Sequence, residues 1–213
     1  MSSLPAQPIK LHYFPFSGHA HRVLNFLSIL GLPHELVPVN LPGGEHKTPG
    51  FLEKNPFGQV PVIEDGDLVL ADSAAILVYL AKRYDDSGLW LPADPVGAAR
   101  VQRWLSVAAG QLVNGPGAAW VATLYKRPVE PKALEVADHL LKLMDTHLAT
   151  QDWLAGGAHP SIADLALYTY VVLGPAGGVD LAPHARLLDW MARIEALPGF
   201  VRQQGAPALP QAA

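Results

Sequence analysis

The sequence predicts two folded units in series, a mixed α/β unit of order βαβαββα and then a unit built only of helices. Three observations carry this. A strand, a helix and a second strand fit within residues 10–40, the length of one parallel crossover unit. Two short apolar runs flank Asp65-Gly66, a strong hairpin signal. After Asp94-Pro95 the apolar periodicity is helical throughout.

Each element has its own cause. Lys10 to Phe14 reads as a strand, and Gly18 to Leu30 as a helix with Val23, Phe26, Leu27 and Leu30 on one face. Gly31 and Pro33 end that helix. His34 to Asn40 reads as a second strand, and Pro38, which cannot donate to a ladder, puts it at a sheet edge. Thr48-Pro49 opens a short helix to Asn55, with Thr48 as its expected cap. Val60 to Glu64 and Asp67 to Ala71 are the hairpin strands, and Ser73 to Tyr84 a helix facing inward with Leu77, Leu80, Ala81 and Tyr84. In the second unit helices are expected over Val96 to Leu112, Lys132 to Leu148, Ser161 to Leu173 and Leu187 to Leu197. Asn114-Gly115-Pro116-Gly117 reads as a break. The stripe Leu134, Ala137, Leu141, Met144 and Leu148 marks the core face of the second helix; the third is apolar almost all round, as in a central buried helix. The chain thus divides into an α/β unit at 8–85, a linker at 86–94, a helical unit at 95–204 and a loose Pro/Ala-rich tail at 205–213.

Composition narrows the function. The 213 residues are 50% hydrophobic and 16% charged, with a formal net charge of −4, which describes a globular protein rather than a disordered one. No Lys/Arg run favours a nucleic acid or an anionic membrane surface. The first ten residues lack the apolar core of a signal peptide, and no run of about 18 apolar residues exists to span a bilayer. The expected setting is the cytosol. The sequence contains no cysteine, so the protein itself cannot carry out thiol–disulfide exchange. Any thiol chemistry must use a thiol brought in by a ligand.

Three segments carry a family resemblance. Asn55-Pro56-Phe57-Gly58-Gln59-Val60-Pro61-Val62, Ala71-Asp72-Ser73-Ala74-Ala75-Ile76-Leu77 and Ser161-Ile162-Ala163-Asp164 resemble, in order and spacing, the motifs of the cytosolic glutathione transferases. Ser17-Gly18-His19-Ala20-His21-Arg22-Val23 is similar to the serine-using bacterial and theta/zeta-like branches. The resemblance implies a thioredoxin-like domain with a mixed four-stranded sheet and an all-α bundle. It also implies glutathione as co-substrate without a metal, a small hydrophobic electrophile as second substrate, a detoxifying transferase with peroxidase side activity, and a homodimer. The competing reading is a non-catalytic glutathione-binding or protein-interaction module of the same fold. A glutaredoxin-like reductase is disfavoured because there is no cysteine nucleophile.

The implied site follows residue by residue. A cis bond at Val60-Pro61 leaves the Val60 N–H and C=O for an added strand of ligand. Ser73, at a helix start, suits the γ-glutamyl carboxylate, and Asp72 the ammonium. His46, Lys47 and Gln59 compete for the glycyl carboxylate. Two hydroxyls compete for the thiol: Ser17, the first choice, and Tyr13, the second. Phe16, His19, Asn114, Trp120 and Tyr125 are the expected electrophile wall. His19 and His21 stand two apart on a helix and point to different faces, which argues against a shared metal. Arg22 is expected to pin the first helix to a carboxylate, and Ser161 with Asp164 to form a structural capping box.

Overall fold

A computed structural model describes residues 4–208 of the chain. Its first half orders as β1 (Ile9–Tyr13), α1 (Gly18–Ile29), β2 (His34–Pro38), α2 (Pro49–Lys54), β3 (Val62–Asp65), β4 (Leu68–Ala71) and α3 (Ser73–Tyr84). The strands form one sheet in the order β2-β1-β3-β4. The β1–β2 pair is parallel and the other two pairs are antiparallel. β2 lies at the edge, as its proline requires. The hairpin is tied to α3 through Asp65, whose Oδ2 accepts from the Tyr79 and Tyr84 hydroxyls at 2.7 and 2.6 Å.

The second half is helical: α4 (Pro95–Val107), α5 (Ala118–Leu124), α6 (Pro131–Leu148), α7 (Ile162–Leu173) and α8 (Ala185–Glu195). Every residue of α7 is buried, and α1 packs between α7 and α3. One core therefore runs from Ile9 and Leu11 of the sheet to Trp190 of α8. The connecting segment is bound into this core. Trp90 packs its ring 5.1 Å from Phe26, and its carbonyl accepts from the Ile162 N–H at 3.0 Å.

The capping box at the start of α7 is present, and Asp164 is its centre. Its carboxylate accepts from the Ser161 and Leu154 N–H groups at 2.8 and 2.9 Å and from the Trp190 indole at 2.9 Å. Burial raises the Asp164 pKa against the opposing pull of these donors.

Three local expectations are corrected. The helix after Asp94 does not break at Asn114–Gly117: wider, π-type turns over Ala108–Gly117 carry it through Pro116 into α5. Such turns re-route the hydrogen bonds that a proline interrupts. Thr48 caps nothing with its side chain, since its hydroxyl donates back to the Glu45 carbonyl. Leu134, placed on the core stripe, stands 36% exposed. The described part of the tail, residues 205–208, lies close to the helical half. Gly205 lies against Trp120, and the Arg202 guanidinium donates to the Pro207 carbonyl at 2.8 Å. Residues 209–213 of that tail lie outside the described residues. Among the described residues no helix is long and apolar enough to cross a membrane, and no group of three or more His, Asp or Glu is placed to hold a metal ion.

Candidate active site

A cavity of about 800 Å³ lies between the ends of the sheet elements and α5. Its near wall comes from backbone that the first half leaves unpaired. The Val60-Pro61 peptide bond is cis, and the sheet ladders stop at Val62. The Val60 N–H and C=O thus lie beyond the last rung, on the cavity side. The loop before them is shaped by Gly58, whose φ is +59. A Cβ there would sit 2.7 Å from the His46 carbonyl oxygen, so the loop folds this tightly only with glycine.

Two helix starts aim at the same cavity. At α3 the cap is Asp72, with φ 71 and its carboxylate accepting from the Ala74 and Ala75 N–H groups at 2.9 Å. A non-glycine residue at this backbone angle is a recurrent mark of ligand clamps. Ser73 is the first helical residue and is 4% exposed. Its oxygen accepts from Arg22 Nη1 at 3.3 Å and shares a 3.1 Å hydrogen bond with His19 Nδ1. At α1 the cap is Ser17, whose oxygen accepts from the Ala20 N–H at 3.2 Å. The loop leading to it is pinned from the helical half. The Trp120 indole donates to the Phe16 carbonyl at 3.0 Å, and Gln203 donates to the Pro15 carbonyl at 3.1 Å.

The charges at the floor are unusual. Arg22 is 2% exposed and bonds to hydroxyls, those of Ser73 and of Thr169 at 3.4 Å, not to a carboxylate as the sequence suggested. Burial pushes its pKa down to about 10, so it remains a cation at neutral pH. Burial, and then the Arg22 charge, lower the His19 pKa to about 3. The floor therefore holds a fixed cation, a neutral imidazole and two helix N-termini, which together favour an anion. His21 turns away from the cavity, with its Nε2 on the Val201 carbonyl oxygen at 2.6 Å. Burial lowers its pKa to about 4.

The expected site residues fall into two groups. Ser17, His46, Lys47, Gln59, Val60, Pro61, Asp72, Ser73, Phe16, His19 and Tyr125 all line the cavity. His46 brings a buried Nδ1 that has no hydrogen-bond partner. Lys47 is tethered through Nζ to the Phe57 and Gly58 carbonyls at 3.4 Å. Tyr13, Asn114 and Trp120 do not line it. Tyr13 packs on the main core, Asn114 is bonded back to the Gly110 carbonyl on the outer face, and Trp120 is buried beneath the Phe16 loop it holds. Among the lining residues that escaped the sequence reading are Phe14, Leu41, Val121 and Leu124 of α5, and Tyr170 of α7. The two on α5 follow an expected break, and Tyr170 belongs to a uniformly apolar helix, so neither position carried a local signal.

Comparison with known proteins agrees with this geometry. Residues 16–83 match the family model of the glutathione S-transferase N-terminal domain. Glutathione S-transferase 3 of Zea mays is 37% identical, covering 95% of this chain and 96% of its own length. Glutathione S-transferase theta-1 of Bos taurus is 31% identical over 82% of this chain and 77% of its own. The solved structure of a glutathione S-transferase I bound with lactoylglutathione superposes with a TM-score of 0.78 at 28% identity, covering 90% of this chain and 96% of that one.

Proposed function

Because the chain belongs to the glutathione S-transferase family, we propose that the cavity binds glutathione and presents its sulfur, as the thiolate, to a small hydrophobic electrophile. The observation that supports this most is the convergence on one cavity of two helix N-termini, a free strand edge at Val60 and a buried cation, Arg22. The tripeptide backbone pairs with Val60, beside the cis Pro61. The γ-glutamyl carboxylate is held by Ser73 and the N–H groups at the start of α3, and its ammonium by Asp72. The glycyl carboxylate is met by Gln59 and His46, with Lys47 alongside.

Ser17 then donates to the sulfur. A free thiol has a pKa of about 8.5, and lowering it by about two units takes roughly 2.7 kcal/mol of preference for the anion. One hydrogen bond to a charged group supplies about 1.5–3 kcal/mol, and a helix N-terminus about 0.3–1 kcal/mol more. No general base is required. Holding both substrates in one cavity supplies much of the remaining acceleration. The electrophile lies toward Phe16, Val121, Leu124 and Tyr125. Residues 8–85 act as the glutathione domain and 95–204 as the electrophile domain. The protein works in the cytosol as a homodimer, to which the Phe57 ring, 79% exposed on its loop, contributes.

Two substitutions test the assignment together. Ser17→Ala should lower turnover about ten-fold or more while largely sparing glutathione affinity. Ser73→Ala should chiefly raise the glutathione dissociation constant. Calorimetric titration beside steady-state kinetics separates these effects. An unchanged dissociation constant for Ser73→Ala removes that residue from the site, and full turnover in Ser17→Ala removes the other.

A further inference from the structure

The turn that delivers Ser17 to the start of α1 is closed by the Ser17 N–H on the Phe14 carbonyl at 2.9 Å. The two carbonyls inside that turn, those of Pro15 and Phe16, take their partners from far along the chain. Gln203 Nε2 donates to the Pro15 carbonyl at 3.1 Å, and Trp120 Nε1 to the Phe16 carbonyl at 3.0 Å. A carbonyl moves only with its whole peptide plane. The two bonds therefore hold the last two planes before the Ser17 side chain. The second plane is held at both ends, since it also carries the Ser17 N–H.

Gln203 can hold its plane because its own segment is anchored on both sides. The Val201 N–H donates to Asn25 Oδ1 at 2.7 Å, and the Val201 carbonyl accepts from His21 Nε2 at 2.6 Å. His21 and Asn25 stand one turn apart on α1, and neither lines the cavity. Gln203 itself is 2% exposed. Two residues further on, Gly205 lies against the second clamp: a Cβ there would stand 2.9 Å from Trp120 Cη2 and 3.4 Å from Phe16 Cδ1. Satisfying a buried carbonyl would explain one such bond. Two in succession, directly ahead of the capping hydroxyl and joined by one anchored segment, fix the backbone from which Ser17 projects. We infer that residues 201–205 form a positioning strap for the reaction, in which Gln203 holds the Pro15 carbonyl and so aims the Ser17 hydroxyl at the glutathione sulfur. A misplacement of about 1 Å at a reacting group can cost on the order of 100-fold in rate, so a strap that never touches substrate can still govern turnover. This inference rests on the reading of Ser17 as the thiol-facing hydroxyl.

The test is the pKa and affinity of glutathione bound to the full-length protein, read from thiolate ultraviolet absorbance and calorimetry in wild type, Gln203→Met, Ser17→Ala and the double variant. Methionine keeps the unbranched shape of glutamine and removes its donor. The charged and titratable groups around the α1 start, His19, His21, Arg22, Asp72 and Tyr170, are kept in every variant. Gln203→Met should raise the bound-thiol pKa by about half a unit and lower kcat about three-fold or more, with the glutathione dissociation constant held within about two-fold. Ser17→Ala should raise the pKa further, and Gln203→Met should add nothing once Ser17 is gone. A bond that serves only the fold would lower the unfolding temperature and leave the thiol pKa where it was; that result overturns the inference and leaves Ser17 in place. No shift with Ser17→Ala overturns both readings. An equal Gln203→Met shift with and without Ser17 means that the strap does not act through the serine, and also overturns the inference. If Gln203→Met does not fold, Gly205→Ala carries the test. That position is exposed, and a Cβ there presses the strap off Trp120 with the Gln203 amide intact. It should raise the thiol pKa in the presence of Ser17 only, and an unmoved pKa overturns the inference.

Discussion

The two walls of the cavity are made in different ways. The proposed glutathione wall is built from backbone and short polar side chains at places where the fold leaves valences open: a strand edge past the last rung at Val62, and the caps of α1 and α3. Ser73 within it is 4% exposed and bonded to two neighbours. The proposed electrophile wall is made of side chains from the Phe16 loop and from α5 and its C-terminal cap, where Val121 and Tyr125 are 38% and 44% exposed. A wall of backbone valences fixes one ligand and tolerates little change. A wall of half-exposed side chains can be exchanged with small consequence for the fold.

The comparison is sharpest where a buried polar group holds the helical half together. Asp164→Ala leaves the Leu154, Ser161 and Trp190 donors buried without an acceptor. The expected loss is about 3 kcal/mol or more of stability, read from the urea midpoint. A loss below about 1 kcal/mol would mean that water replaces the carboxylate and that the box is not the anchor of α7. Much smaller is the effect of Tyr125→Ala on the exposed wall. An electrophile KM raised about five-fold, near 1 kcal/mol, is expected with the glutathione dissociation constant unchanged. A change in glutathione affinity there would erase the distinction between the walls.

The same distinction explains what the sequence made legible. Helix starts and a hairpin turn are local chemistry, so Asp65-Gly66, Ser17 and Ser73 could be located from residues alone, whereas the cis bond at Val60-Pro61 was reached only through the family resemblance. The start of α3 at Ser73 was legible, but Asp and Ser are equally good caps, and only the backbone turn at Asp72 shows that Asp72 is the cap. Trp120 was assigned to the pocket because a large aromatic beside a Gly-Pro segment has no sign of direction in sequence. Its indole instead reaches 104 positions back to the Phe16 carbonyl. Tyr170 was invisible for a related reason: within the run Ile162–Leu173, apolar on every side, periodicity cannot tell which residue faces a cavity.

The claim on which the account stands is that this cavity turns a borrowed thiol into an anion. Difference absorbance of the wild-type protein saturated with glutathione at pH 7 measures it directly. The account predicts a thiolate band from most of the bound ligand, against the few per cent ionised in free solution at that pH. A bound ligand whose absorbance matches free glutathione would contradict it.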